Sequence, residues 1–202
     1  MNIEIEKKFG IINKNNLTDW LNNRTEFLSE KKQEDILFTH KELSDKRILR
    51  LRKEGGQEIV TFKNLIFNDD GDFLYCEEFE TVYGKDNLDK FFEIISIVTH
   101  QEIEYIKDNF EITSNLENDL NKYGFKSKYI INKLRKNFKY DSIQLSMDSI
   151  KDLGDFLELE HLSPENHEDA WEDFNKVLEQ IKVYLGSEIE KGYLDLLKEK
   201  IG

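Results

Sequence analysis

The stretch "IEIEKKF" at residues 3–9 decides the reading of the chain. An extended strand shows alternate side chains to opposite faces, so Ile3, Ile5 and Lys7 share one side, and Glu4, Glu6 and Lys8 share the other. Two carboxylates and an ammonium thus line a single face of a strand whose other face is largely apolar. Taken alone, that is the spelling of a solvated strand face.

The same period of two returns along the chain. "RILRLRK" aligns Arg50 and Arg52, "TFK" ends in Lys63, and "CEEFE" aligns Glu78 and Glu80. Later segments align Lys133 with Arg135, then offer Asp148, then align Glu158 with Glu160. Like charges side by side on a strand are unfavourable unless cations lie between them, and the basic pairs carry the opposite sign on separate strands. Acidic and basic strands facing one another across a shared lumen would relieve both. Such a lumen suits a chain of phosphates, held by Arg forks and Lys point charges, with Mg²⁺ or Mn²⁺ on paired glutamates.

Composition sets limits on that reading. The chain has 202 residues with one proline, and no Gly/Ser-rich linker, low-complexity tract or fixed-period repeat, which predicts a single domain over 1–202. The single cysteine, Cys76, excludes an internal disulfide, and four scattered histidines give no structural zinc spacing. With no signal-peptide pattern and no long apolar run, the expectation is a soluble, cytoplasmic protein without a membrane partner. Lys and Arg number 29 against 42 Asp and Glu, a net charge of −13, which argues against nucleic acid as a partner. An anionic ligand therefore needs a local basic pocket, a metal, or both.

Hydrophobic periodicity supplies the remaining elements. Asn15 or Asn16 can cap a helix carrying Leu17, Trp20 and Leu21, which ends before the polar "SEKKQ". Strands are predicted at 35–40, 47–53, 57–63 after Gly55-Gly56, and 73–83 after "NDDG". Leu88, Phe91, Phe92 and Ile95 follow helical spacing behind Asp86, and Leu116, Leu120 and Tyr123 do so before Gly124. The stretch "HQEIEYIKDNFEIT" fits helix and strand equally. Further strands are predicted at 128–138, 142–150 and 155–162. Ser163-Pro164 then opens a helix with an apolar face of Ala170, Trp171, Phe174, Val177, Leu178, Ile181 and Leu185, and Tyr193 to Leu197 form a short last helix. The class is α+β with a large antiparallel sheet or barrel.

These residues carry a resemblance. Glu4-x-Glu6-x-Lys8 is similar to the ExExK signature of the CYTH superfamily, the triphosphate tunnel metalloenzymes, which include class IV adenylyl cyclases, thiamine triphosphatases and inorganic triphosphatases. "QEDILFTH" resembles the "QxDxYF" strand of the cyclase branch, "RILRLR" its "ALRIR" and "VTFK" its "LTxK". "YGFKSKYIINKLRKNF", "MDSIKDLGDFLELE" and "KGYLDLL" resemble later motifs of the same branch in the same order.

The resemblance implies an eight-stranded antiparallel β tunnel with flanking helices, here with an enlarged helical insertion around 86–115. It implies Glu4, Glu6, Glu158 and Glu160 as ligands of Mg²⁺ or Mn²⁺, with Glu80 and Glu78 as supporting acids. Lys8, Arg50, Arg52, Lys63, Lys133 and Arg135 would bind phosphates, with Lys8, Glu6, Glu78 and Asp148 nearest the chemistry. Cys76 replaces an Arg usual in the branch, and Asn64-Leu65 replaces a usual Gly-Pro after Lys63. Tyr193 matches a packing position, and His40 is the foremost of the histidines because it ends a strand of the lumen.

The implied activity is conversion of ATP to cyclic AMP and pyrophosphate. Hydrolysis of inorganic, thiamine or nucleoside triphosphate is the alternative, and a non-catalytic polyphosphate- or nucleotide-binding module the third. A homodimer is implied by likeness alone. Either reaction needs phosphate oxygens neutralised and the attacking and leaving oxygens held in line.

Overall fold

A computed structural model describes residues 2–4, 6–44, 46–70, 73–161 and 167–201, with side chains from residue 6 onward except at 73–75, 167–170 and 201. Among the described residues there are ten strands and six α-helices. The chain divides into two compact units, residues 1–3 with 33–130 and residues 4–32 with 131–202. The divisions fall within or beside strands, so β1 (Asn2–Glu4), β3 (Glu26–Thr39) and β7 (Lys126–Tyr140) contribute residues to both.

In the first unit, β3 continues into the meander β4 (Arg47–Glu54), β5 (Gln57–Phe67) and β6 (Phe73–Val82), each pair antiparallel. Gly55 and Gly56 join β4 to β5 with φ of +57° and +82°, the left-handed pair that a two-residue hairpin with native twist requires. Register places Asp35 opposite Arg52, Arg50 opposite Thr61, Thr61 opposite Glu80 and Lys63 opposite Glu78, so one face of the meander is charged. The other face carries Ile36, Phe38, Leu49, Leu51, Val60 and Phe62, all buried. It packs against Phe91, Phe92, Ile95 and Val98 of α2 (Leu88–Thr99), Ile106 of α3 (Ile103–Asn109) and Leu116 and Leu120 of α4 (Leu116–Lys122).

The second unit repeats this logic. β7, β8 (Ile143–Ile150), β9 (Gly154–His161), β2 (Glu6–Ile11) and β10 (Leu185–Glu188) neighbour one another in that order, all antiparallel. Arg135 lies opposite Asp148, Ser146 opposite Glu158, Lys8 opposite Glu158 and Glu6 opposite Glu160, which again collects the charges on one face. Phe9, Phe138, Leu145, Met147, Leu157 and Leu159 occupy the opposite face. Over them lie Leu17 and Leu21 of α1 (Lys14–Arg24) and Phe174, Val177 and Ile181 of α5 (His167–Ile181), followed in the chain by α6 (Tyr193–Ile201). Burying each such side chain stabilises by about 1.5–3 kcal/mol, which is why the apolar parity, not the charged one, sets the register.

Several expectations change in detail. Eight strands become ten among the described residues, because Asn2–Glu4 and Glu6–Ile11 count as two and Leu185–Glu188 adds a short strand against β2. Leu185 therefore leaves the helical face assigned to it, though it stays in the same core. Asn13 rather than Asn15 or Asn16 caps α1, its side chain accepting from the Asn16 N–H at 3.2 Å. The polar "SEKKQ" is strand, held where Glu30 pairs with Lys136 at 3.0 Å and the Asn137 amide donates to Ser29. Asn87, after a 3₁₀ turn, precedes α2 in place of Asp86, and the ambiguous stretch contains the helix α3. Ser163 and Pro164 lie outside the described residues.

Candidate functional site

Each unit carries one charged face. In the second unit, three cations from two strands and two carboxylates from two others converge. Arg135 donates from Nε to Asp148 Oδ1 at 2.7 Å and from Nη2 to Asp148 Oδ2 at 2.5 Å, a forked pair, and Nη2 also meets Glu158 Oε2. Lys133 Nζ lies 3.7 Å from Asp148 Oδ2, and Lys8 Nζ lies 3.6 Å from Glu158 Oε1 and 4.0 Å from Glu6 Oε1. Lys8 and Lys133 are each 6 % exposed and Asp148 is fully buried, so the charges hold one another in a setting that water does not screen.

Burial, the largest single effect, would raise the Glu158 carboxyl; Arg135, Lys8 and Lys133 together outweigh it and hold that carboxyl far below the usual range. Tyr193 of α6 joins the cluster. Its hydroxyl donates to Asp148 Oδ2 at 3.0 Å, and its ring lies 4.5 Å from Lys8 Nζ and 5.3 Å from Lys133 Nζ. Burial, and then the charges of Glu158 and Asp148, push its hydroxyl well above the ordinary value, so it stays a neutral donor. The packing role expected of Tyr193 is thus joined by a polar one; the sign in the sequence was an aromatic with a polar tip inside an otherwise apolar helix face.

In the first unit, Arg52 grips Asp35 through Nε at 2.7 Å and Nη2 at 2.9 Å. Arg50 Nη2 donates to Thr61 Oγ1 at 2.9 Å and lies 3.6 Å from Glu80 Oε2 and 3.9 Å from Glu78 Oε1. Thr61 Oγ1 donates in turn to Glu80 Oε2 at 2.9 Å, and Lys63 Nζ meets Glu78 Oε2 at 2.5 Å. Arg50 Nε is buried without a hydrogen-bond acceptor, an N–H able to take an anionic oxygen. Asp35 and Thr61 were not singled out beforehand; their period-two alignment with Gln33 and Lys63 was the available signal.

The expected residues therefore fall into two groups. Lys8, Lys133, Arg135, Asp148 and Glu158 come together, with Glu6 and Glu160 beside them as a register pair, and Arg50, Arg52, Lys63, Glu78 and Glu80 come together in the first unit. The side chain of Glu4 lies outside the described residues. Cys76 is buried on the parity of Glu78 and Glu80, its thiol 3.6 Å from the Glu77 carbonyl, where an Arg was expected from the resemblance.

No group of three or more metal-ligating side chains forms among the described residues. Glu6 and Glu160 nevertheless stand directly opposite one another, with the Gln144 amide 3.5 Å from Glu160. Facing carboxylates repel unless a cation intervenes, and an all-oxygen set suits a hard divalent ion bound partly through phosphate oxygens, so the residues fit Mg²⁺ or Mn²⁺. No helix of the described residues is long and apolar enough to cross a membrane.

A Methanocaldococcus jannaschii protein named as a candidate adenylate cyclase is 29 % identical over 200 residues, covering 96 % of this chain and 98 % of its own. A solved Pyrococcus horikoshii structure superposes with a TM-score of 0.65 at 21 % identity, over 96 % of this chain and 98 % of that one. A Hippeastrum protein, described as an adenylyl cyclase candidate with a dominant triphosphatase activity, gives 0.60 at 16 % identity over 98 % and 96 % of the two chains. At such identities the two structures speak for the fold alone. The model of the CYTH domain matches residues 2–193, nearly the whole length over which the charged strands recur, and the chain belongs to the CYTH domain family.

Proposed function

We propose that this protein is a divalent-metal-dependent enzyme that binds a triphosphate on its charged strands and converts ATP to cyclic AMP and pyrophosphate. The observation that carries the reading is the burial of Lys8 and Lys133, with Arg135 largely buried beside them, on one sheet face. Three buried cations offset by Asp148 and Glu158 are held in position before any ligand arrives, and phosphate oxygens can take up donors these carboxylates leave over. Within the first unit, Arg50, Arg52 and Lys63 offer donors of their own for phosphate oxygens, the unsatisfied Nε of Arg50 among them.

Glu6 and Glu160, with Glu4 and Glu158, would hold Mg²⁺ or Mn²⁺, which when bound neutralises phosphate oxygens. The chain's own residues then divide the work. Lys133 and Arg135 bind and orient phosphate; Asp148 holds Arg135 by Nε and Nη2, which fixes the guanidinium and leaves Nη1 to reach phosphate; Tyr193 donates to Asp148 and excludes water from the two ammoniums over its ring. Lys8, 4.0 Å from Glu6, would serve the attacking oxygen, and Glu78 keeps Lys63 in place. The name carried by the Methanocaldococcus relative supports the cyclase.

Hydrolysis of a triphosphate is the second reading. It is favoured by Cys76, which removes one cation from the face of Glu78 and Glu80 and so weakens the grip on a long anionic substrate seated for attack at its α-phosphorus. The activity named for the Hippeastrum protein points the same way. Incubating the protein with ATP, or with tripolyphosphate, and either Mg²⁺ or Mn²⁺ decides between them. Cyclic AMP with pyrophosphate is the expected product; orthophosphate without cyclic nucleotide assigns the hydrolase, and no product with either substrate overturns the enzymatic reading.

A further inference from the structure

The first unit holds a cavity of about 510 Å³ that none of Arg50, Arg52, Lys63, Glu78 and Glu80 lines. It lies where β3 ends at Thr39 and His40 follows. The imidazole rests on Phe125, ring centroids 4.6 Å apart, and its Nδ1 accepts the Glu42 N–H at 3.2 Å. That bond leaves the ring proton on Nε2. Burial, with Lys41 adding and Glu42 opposing, lowers the ring's pKa, so at neutral pH Nε2 is an uncharged donor. The facing wall is Gly124, whose φ of +109° disfavours any side chain; a Cβ there would stand 3.8 Å from His40 Nε2.

The other lining groups share the same polarity. The Tyr123 hydroxyl donates to Gln101 Oε1 at 2.7 Å, which occupies the acceptor and leaves the Gln101 amide N–H groups. Lys41 and Lys126 bring ammonium groups, and among the described residues Lys41 has the loose company of Glu42 at 3.8 Å. No carboxylate is among the lining residues, although the chain carries 42 of them. Two tyrosine rings, Tyr105 half exposed and Tyr123 partly buried, supply flat apolar walls.

We propose that this cavity is a second binding site, taking a small organic oxyanion that carries a flat ring, independent of the triphosphate site. A wall of donors with few free acceptors selects an anion, and two ammoniums place its charge at the rim. The tyrosine faces take the ring, and the volume matches the roughly 300–1,000 Å³ of small-molecule sites.

The test uses phenyl phosphate as probe and inorganic phosphate as comparison, with the full chain isotope-labelled for observation of the His40 ring. Phenyl phosphate is expected to shift the His40 resonances, raise the pKa of that ring and bind about tenfold more tightly than inorganic phosphate. The double variant Lys41→Ala, Lys126→Ala, both at the surface, is expected to weaken the probe by about tenfold, while tripolyphosphate leaves it bound. An unmoved His40 at millimolar probe overturns the proposal. So does displacement by tripolyphosphate, which assigns the probe to the charged strands, and so does equal affinity in the double variant.

Discussion

Replacing Arg135 with Met tests the electrostatic account of the second unit most directly. Arg135 is the main partner of two carboxylates, Asp148 with its side chain fully buried and Glu158 with 11 % of its side chain exposed. After the substitution they retain Lys133 at 3.7 Å and Lys8 at 3.6 Å, neither in forked contact. Removing one partner from a buried ion cluster costs about 3–5 kcal/mol, because the remaining charge stays desolvated. For a chain of this length each kcal/mol lowers the melting temperature by about 2–4 °C, so a drop of about 10 °C is expected.

The pH dependence has a definite sign. In the native protein the Glu158 carboxyl is held below its unfolded value, so its contribution is present above that value and lost only as pH falls through the depressed one. Between about pH 5 and about pH 8 it is therefore constant. Without Arg135 the burial effect dominates and raises the carboxyl, so protonation near pH ~5 relieves the variant while at pH ~8 the full cost remains. Calorimetry of both proteins at the two pH values reads the difference. A loss below about 1 kcal/mol, or an equal loss at both pH values, refutes the reasoning.

Three further outcomes are expected. The double variant Glu4→Ala, Glu6→Ala should lose turnover to background with Mg²⁺ or Mn²⁺ yet still bind tripolyphosphate without metal in a calorimetric titration, since the cations remain; retained turnover would remove the carboxylates from the metal's binding. Tyr193→Phe deletes the 3.0 Å bond to Asp148 but keeps the ring under Lys8 and Lys133, so it should cost about 1–2 kcal/mol in thermal stability, and Tyr193→Leu more. Asp173, held at about 2 by the Ser142 hydroxyl and by Lys176, should contribute about 1 kcal/mol above pH ~4 after solvent screening, fading as pH falls toward 2. Asp173→Asn, followed by acid denaturation, should lose that increment at neutral pH and match the native protein in strong acid.

Much of this was legible in local pattern. Strand and helix types follow from period two or period 3.6, and Lys8, Lys133 and Arg135 were marked by parity alone. Errors arose where several residues offered the same chemistry. Asn13, Asn15 and Asn16 are equally good caps as residue types, and only the packing of Leu17 and Leu21 decides which one stands at the first turn. "SEKKQ" reads only as a polar stretch because both of its faces are polar, and it becomes strand through bonds to β7, more than a hundred residues away. Leu185 has the right spacing for the helix before it, yet pairs with Ile11.

The amino-acid order by itself determined the α+β class, the charged parity of each strand and the residue types offered to phosphate and metal, because side-chain direction in a strand depends only on counting by two. Tertiary structure alone decided the pairings. Arg135 with Asp148 and Arg52 with Asp35 join consecutive strands, while Lys8 with Glu158 and Tyr193 beneath two ammoniums join segments distant in the chain. Which carboxylate meets which cation depends on register, and register is set by the apolar side chains on the opposite face, whose burial outweighs any single ion pair.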